Sequence, residues 1–431
     1  MRLSINNFAK IKKADILVDG ITVIAGENNT GKSTIGKILF SMFNSMNDIE
    51  EKIIEQREKE IRDSCILILK NYFVNSTQRK NVLGIPRCVS RFTNKLREMA
   101  YEDEIITEKL SKEIVADSVN ELFKKYGSES EMDEIIDLLV EKIMLIMSLS
   151  KEVILLEAVT RFFLSVFDGQ MNSLTQKSST AVLDLEVKGK NIGLVFQKNQ
   201  CKELKSEITL MNRAIYIDNP FVMDSLNRFS VSIMEGLLKD LLTDSEKNDV
   251  MDGIIGSVLT KAKLEDVYKV LQSVVNGEIV ETQDDEYYLM EDGYEEPVSF
   301  QNLSTGLKSF VLLKMLLEKG ALKEKDVLIL DEPEIHLHPQ WQVVYAELIV
   351  LLQKQFDLSI IVATHSPYFL DAINLYSIKH GIDKKVNYYL SSMKENCVEM
   401  ELVTGQIDKI YKKMATPIQA LDTLRYELNN S

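Results

Sequence analysis

Cysteine, tryptophan and histidine are scarce in this 431-residue chain, at 4, 1 and 4 copies, and each shortage removes a class of chemistry. Cys65, Cys88, Cys201 and Cys397 lie far apart with no Cys-x-x-Cys pair. They read as reduced core thiols, which excludes a disulfide framework and a cysteine zinc site. Long apolar runs are missing too. The most apolar stretch, residues 143–167, is interrupted by Lys151, Glu152, Glu157 and Arg161, so it reads as a buried helix and no membrane span is expected. The first residues enter strand-like sequence with no secretion signal, and the expected residence is cytoplasmic. Positive charge is also short, 51 Lys and Arg against 66 Asp and Glu, a net charge of −15. The chain as a whole repels polyanions, so a contact with DNA requires a local basic patch. Residues 64–97 are such a patch: they contain no carboxylate and carry Lys70, Arg79, Lys80, Arg87, Arg91, Lys95 and Arg97. The plainer reading of that patch is a helical hairpin whose charges pair internally with the acid-rich residues 101–141.

What remains is ample for a large core: 45% of residues are hydrophobic and 27% charged, and the length favours two or three subdomains. Three short strands are expected at residues 3–8, 14–18 and 21–25, the last feeding a glycine loop and a helix over 32–46. From 47 to about 168 the pattern is helical. Strand character returns at 181–187, 192–197, 207–211 and 214–217, and helices are expected at 222–242, 250–260 and 263–275. A strand pair follows near 278–281 and 286–290. Helix 304–319, strand 326–330, helix 339–356, strand 359–363 and helix 367–379 then alternate as a parallel α/β sheet requires. The tail, 407–428, reads as one or two amphipathic helices broken near Pro417.

Four motifs fall in order along this frame. The first, Gly26-Glu27-Asn28-Asn29-Thr30-Gly31-Lys32-Ser33, sits between an apolar strand and a helix start. Its glycines let backbone N–H groups turn toward phosphates, Lys32 adds positive charge, Ser33 offers a hydroxyl to Mg²⁺, and the helix N-terminus favours the anion. Gly26, Asn28, Asn29, Thr30, Gly31, Lys32, Ser33 and Thr34 are the expected phosphate-binding residues. The second, Leu303-Ser304-Thr305-Gly306, opens another helix, with Ser304 and Gly306 as expected nucleotide contacts. In the third, a buried strand at 327–330 delivers Asp331 and Glu332 at its C-terminal end. Adjacent residues point in different directions, which suits Asp331, with Ser33, to the metal's water shell and Glu332 to the attacking water. The fourth is Ala363-Thr364-His365-Ser366, where His365 ends a second buried strand and can hydrogen-bond a terminal phosphate. His336 and His338 lie two apart but have no further ligand at usable spacing, so packing or a dimer contact is expected of them. One chain thus holds two helix N-termini prepared for anions and one acid pair. The economical solution is a symmetric dimer in which Ser304 of one copy reaches the phosphate held by Lys32 of the other.

The ordered set resembles the ABC-type ATPase superfamily. The stretch Asp331-Glu332-Pro333-Glu334-Ile335-His336-Leu337-His338-Pro339 is similar to its soluble branch: the overcoming-lysogenisation-defect (OLD) group, RecF and SMC-type ATPases, and ATPase subunits of anti-phage systems such as Septu and PARIS. The likeness covers residues 1–46 and 278–380. It implies an α/β fold, an ABC-type ATPase head of a mixed-sheet lobe plus a parallel α/β core, with a large inserted helical domain. The expected layout is an N-terminal lobe at 1–46, a helical arm or lid at 47–180, linking strands and helices at 181–277, a C-terminal lobe at 278–405 and a helical tail at 406–431. The resemblance also implies ATP and Mg²⁺ as cofactors, two heads sandwiching two nucleotides in a homodimer or higher even oligomer, Glu332 and His365 as catalytic groups, and Ser304 and Gly306 as signature contacts. There are departures. The signature reads Ser-Thr-Gly-Leu-Lys rather than Ser-Gly-Gly-Gln, and only Gln197 offers itself as the glutamine that couples the lobes. The missing cysteine pair removes the zinc hook of some DNA-repair members. OLD nucleases continue into a carboxylate-rich Toprim domain, whereas only 66 residues follow His365 and they hold no Asp-x-Asp pair. The expected function is therefore an ATPase subunit of an anti-phage or DNA-maintenance complex that controls a separate effector, a nuclease or toxin encoded nearby. The alternatives are a slow or non-hydrolysing clamp that restrains a partner and, further off, the ATPase half of a transporter.

Overall fold

The computed structural model describes residues 1–77, 84–102, 104–126, 129–176, 179–230, 232–243, 264–282 and 286–429. They form two compact units, Met1–Asn47 with Val159–Ser431, and Asp48–Ala158. The first unit is built on an eleven-stranded mixed sheet. Its parallel half runs Val386–Lys394, Ile21–Gly26, Ser359–Thr364, Val327–Asp331, Ala214–Ile217 in spatial order. Strands covered on both faces need apolar side chains throughout, and Val327, Leu328, Ile329 and Leu330 are all sealed from solvent. Leu328 and Leu330 join the core that includes Phe310 and Tyr345 from the helices Thr305–Glu318 and Pro339–Phe356. Ile329 faces the other way, toward the helix Lys32–Met46, where an ideal Cβ on Gly36 would lie 2.6 Å from its Cγ2. That helix and the acid-bearing strand therefore touch at a point where only glycine fits.

The rest of the sheet is a largely antiparallel wing, Cys397–Leu402, Ile11–Leu17, Arg2–Phe8, Ala181–Val187, Lys190–Gln197 and Gln200–Ser206. Here burial alternates: Ala181, Leu183 and Leu185 point inward while Asp184 and Glu186 stay at the surface, the signature of a sheet with one wet face. A small sheet of Gly277–Glu281, Tyr287–Glu291 and Val298–Ser299 completes the unit. An α/β head with a mixed-sheet wing, a parallel core and a separate helical unit is what the motifs led us to expect.

Several local expectations change. The third strand of the wing hairpin is Gln200–Ser206 rather than 207–211, because Lys198 and Asn199, both at positive φ, turn the chain immediately after Gln197. The expected helix at 222–242 is a 3₁₀ turn, Pro220–Ser225, capped by the Asn219 side chain, followed by the helix Ile233–Thr243. The helix expected at 250–260 lies outside the described residues. The hairpin Val386–Lys394 and Cys397–Leu402 had not been read as strands, although its turn, Glu395-Asn396, sits at positive φ in both residues. The C-terminal tail is a single helix, Asp408–Asn429, that includes Pro417.

The second unit is helical: Ile49–Thr77, Ile85–Tyr101, Glu108–Tyr126, Glu129–Ser148 and the start of Lys151–Phe167. It has its own core of Ile61, Leu69, Phe92, Val115, Leu139 and their neighbours. It ends at Ala158, short of the expected 180, because the second half of Lys151–Phe167 belongs to the sheet unit. There Phe163 and Phe167 pack edge-on against Phe8, with ring centroids 6.3 and 4.9 Å away. All four cysteines are free thiols, and burial pushes Cys65 to about 12 and Cys88 to about 11, as inert core positions require. Among the described residues no helix is long and apolar enough to cross a membrane.

Candidate functional site

The strand Ile21–Gly26 delivers the glycine loop to the C-terminal edge of the parallel strands. Gly26 is required by close approach: a Cβ there would stand 2.4 Å from the Ser391 carbonyl oxygen. Beyond it, Asn29 (φ 63) and Gly31 (φ 79) take left-handed conformations, the alternation that turns successive N–H groups to one side. The loop is tied from within and without. Thr30 Oγ1 donates to the Glu27 carbonyl at 2.7 Å, the Ser391 hydroxyl donates to the Thr30 carbonyl, and Lys10 Nζ donates to Asn29 Oδ1 at 2.5 Å. Gly31 begins the helix Lys32–Met46 without a side-chain cap, so the first-turn N–H groups are available to an anion. Lys32 is buried, and its Nζ donates back to the carbonyls of Gly26 (3.1 Å) and Glu27 (2.9 Å) while standing 3.5 Å from Glu332 Oε1. The loop and Thr34 border a concavity of about 480 Å³, which Glu332 also lines. Phe167, Asp168, Gln170 and Leu174 line it as well. That segment is pinned to Ala9, whose N–H donates to the Met171 carbonyl and whose carbonyl accepts from Leu174, both at 3.0 Å.

Asp331 ends the strand Val327–Asp331, one strand further along the sheet beyond Ser359–Thr364, and is in register with Ala363. Its carboxylate is held at both oxygens: Ser33 Oγ donates to Oδ1 at 2.9 Å, and the Tyr216 hydroxyl donates to Oδ2 at 2.6 Å. Tyr216 is fully buried in the strand Ala214–Ile217, and burial beside Asp331 raises its phenol well above the usual range, which keeps it a donor. The pair Ser33 and Asp331 is a hard-oxygen set. Among the described residues no group of three or more His, Cys, Asp or Glu could hold a metal. Two protein oxygens with no closed cage fit Mg²⁺, which keeps most of its waters and shares phosphate oxygens, and do not fit zinc or calcium. The missed partner is Tyr216: a tyrosine inside an apolar strand must find an acceptor, and that is the signal in the sequence. Tyr216→Phe is expected to raise the Mg²⁺ concentration for half-maximal ATPase activity by about tenfold at unchanged fold. Titrating Mg²⁺ at saturating nucleotide checks it.

Glu332 has φ 52, a left-handed conformation that costs a non-glycine residue about 1–2 kcal/mol. The turn redirects the chain directly after Asp331 while the Glu332 N–H still donates to the Ala363 carbonyl at 2.9 Å. The two acids thus leave the strand end differently, Asp331 toward Ser33 and Glu332 toward Lys32. His365 joins them, its Nδ1 3.7 Å from Glu332 Oε1 and 3.5 Å from Glu334 Oε1. Glu334, which sequence reasoning passed over, is buried beneath this group.

Other expected residues lie elsewhere. Ser304 caps the helix Thr305–Glu318, its oxygen accepting from the Leu307 N–H at 3.4 Å. With Gly306, His336, His338 and Trp341 it lines a second concavity, of about 490 Å³, that shares no lining residue with the phosphate loop's. His336 packs edge-on to Phe221 at 5.6 Å, and His338 Nδ1 accepts from the Gln340 N–H at 3.4 Å as a helix cap. Gln197 is a correction. It lies in the antiparallel wing, its Nε2 donating to Thr180 Oγ1 at 3.4 Å, and does not line the phosphate concavity. The chain beside the end of Asp331's strand is instead Asp218-Asn219, and burial with the nearby Asp331 raises the Asp218 carboxyl. In the helical unit, Arg97 pairs with Glu58 at 3.1 Å, whereas Arg87, Arg91 and Lys95 are exposed along one face of Ile85–Tyr101; of these three, Arg91 alone stands within 4 Å of an acid among the described residues, Glu121 at 3.8 Å. Arg79 and Lys80 lie outside the described residues.

The model of the AAA ATPase domain family matches residues 1–370. Septu protein PtuA of Bacillus thuringiensis is 26% identical over 205 residues, 41% of this chain and 46% of that protein, so the match spans about half the length of that relative. Among solved structures, the SMC head domain from Thermotoga maritima matches at 12% identity and TM-score 0.39, over 93% of this chain and 98% of that one. An SMC head bound to the C-winged helix domain of ScpA matches at 11% identity and TM-score 0.43, over 93% of this chain and 97% of that one.

Proposed function

The chain belongs to the AAA ATPase domain family, and we propose that it binds Mg²⁺·ATP at the loop Gly26 to Ser33 and hydrolyses it between two copies, using the change in head spacing to control a separate effector. The observation that carries the reading is the convergence of Lys32, Ser33, Asp331, Glu332 and His365 at one strand edge while Ser304 and Gly306 border a different concavity. A site whose parts divide in this way is completed by a second copy. In this reading the loop N–H groups, Lys32 and Thr34 hold the phosphates, and Phe167 and Leu174 face the nucleoside. Mg²⁺ on Ser33 and Asp331 would supply charge neutralisation at the terminal phosphates. Glu332 polarises a water, His365 contacts the terminal phosphate, and Ser304 with Gly306 of the partner closes over it. The Septu likeness supports a setting in anti-phage defence in the cytoplasm, with a nuclease or toxin from the same operon as the effector. The deciding measurement is the mass of the protein by light scattering with and without Mg²⁺·ATP, alone and co-expressed with its neighbouring gene product. A monomer in every condition overturns the proposal.

DNA contact through the helical unit rests on Arg87, Arg91 and Lys95, which recur every fourth residue on one exposed helix face and so stand about 6 Å apart, near the spacing of backbone phosphates. Reversing the three charges is expected to weaken duplex binding by at least tenfold at about 50 mM salt and to flatten its salt dependence. An unchanged slope of affinity against salt removes DNA from the reading.

A further inference from the structure

Glu334 lies two residues past Glu332 and is 2% exposed. One of its oxygens, Oε1, accepts three hydrogen bonds from consecutive residues of the histidine loop: Thr364 Oγ1 at 2.5 Å, the His365 N–H at 2.8 Å and the Ser366 N–H at 3.2 Å. The His365 ring follows, with Nδ1 at 3.5 Å from the same oxygen. Gln342 doubles the link. Its Nε2 donates to the carbonyls of Glu334 (3.3 Å) and Leu337 (3.1 Å), while its Oε1 accepts from Ser366 Oγ at 2.7 Å. The turn that carries Glu332 and the loop that carries His365 are therefore fastened into one body.

Packing does not explain why a carboxylate does this. The second oxygen, Oε2, is buried and has no hydrogen-bond partner among the described residues, and leaving half of an acid's capacity unused away from water is costly. Burial accordingly raises the Glu334 carboxyl. What the position needs is an acceptor with no hydrogen of its own facing three converging donors, which a carboxylate oxygen supplies.

We propose that Glu334 is a positioning residue: it sets the His365 loop against the Glu332 turn, so that contact between His365 and a terminal phosphate fixes the acid that polarises water. This rests on the site reading above, in which Glu332 and His365 act on bound ATP. A displaced His365 loop would carry Glu334, and with it the turn at Glu332, out of register. Nucleotide binding, which depends on the glycine loop and Lys32, is outside this linkage.

The test compares Glu334→Ala, Glu334→Gln, Thr364→Val, His365→Ala and the Glu334→Ala/His365→Ala double variant. The readouts are affinity for a fluorescent ATP analogue, steady-state phosphate release and the melting profile. Glu334→Ala is expected to lower kcat by about 30- to 100-fold with nucleotide affinity within about threefold. Glu334→Gln keeps a carbonyl oxygen for the three donors and is expected to stay within about threefold of wild type. The double variant is expected to be no slower than His365→Ala, since both changes break one linkage. If Glu334→Ala does not fold, Thr364→Val, which removes one donor, is expected to cost about three- to tenfold in kcat. The proposal is overturned by a folded Glu334→Ala with near-normal kcat, by a glutamine variant as slow as the alanine, by multiplicative losses in the double variant, or by a fully active Thr364→Val. Glu332→Gln is the control: if that variant keeps turning over, the site reading itself fails, whereas a dead Glu332→Gln beside an active Glu334→Ala sinks this inference alone.

Discussion

Replacing Glu332 by Gln is expected to lower phosphate release by about 10²- to 10³-fold while ATP affinity stays within about threefold. The side chain stands 3.5 Å from Lys32 Nζ and 3.7 Å from His365 Nδ1, at the edge of the phosphate concavity. Glutamine keeps that shape and loses the basic oxygen, so water is no longer polarised but the glycine loop and Lys32 are untouched. The substituted protein is then expected to accumulate as an ATP-bound dimer, detectable as a doubled mass that disappears with ADP. The same variant separates an engine from a clamp. If the proposed defence setting holds, an engine loses protection against phage along with turnover, whereas a scaffold that only needs bound ATP keeps it. Retention of more than about a tenth of wild-type turnover removes Glu332 from its assigned role.

The parts of this site legible in the sequence share one property: their chemistry is carried by neighbours in the chain. The loop from Gly26 to Ser33 and the pair Asp331-Glu332 each combine an apolar strand with a chemical end, and a strand places its last residues at a known edge. Parts that depend on pairing between distant strands were not legible. Tyr216 signals a buried hydroxyl in need of an acceptor, but which acceptor stays hidden until the strand Ala214–Ile217 lies beside Val327–Asp331 and brings that hydroxyl to Asp331, 115 residues away. Glu334 reads as a surface acid just past a motif, and only the meeting of the strand ends shows it buried under His365, 31 residues on. Gln197 was misplaced for the opposite reason. A glutamine closing an apolar strand looks the same in an antiparallel wing as in a parallel core, and only the order of strands tells them apart. The boundary at Ala158 was hidden because it falls inside one helix, Lys151–Phe167, which crosses from one unit to the other without any break in its pattern.

The proposed division of the site between two concavities leads to the second large effect. Ser304→Arg is expected to abolish ATP-driven dimerisation and to reduce turnover by at least about 10²-fold, with ATP binding by each copy preserved. Ser304 is exposed, so the longer side chain fits the isolated protein, and losing the cap costs about 1 kcal/mol at the helix it begins. Within a closed dimer the arginine would occupy the place of the phosphate contact. Lys32→Ala fails differently, through loss of nucleotide from its own loop. Mixing the two inactive proteins is therefore decisive. Each mixed dimer unites the intact Lys32 of the Ser304→Arg copy with the intact Ser304 of the Lys32→Ala copy, restoring one complete site. Neither protein pairs with itself around ATP, so the dimers that form are mixed, each with one of two sites whole, and up to about half of wild-type turnover is expected if the sites act independently. Less than half measures how far one site needs the other to fire. An active Ser304→Arg protein, or a mixture that forms no dimer with Mg²⁺·ATP, would mean that Ser304 of one copy does not complete the site of the other, and the shared catalytic unit would have to be abandoned.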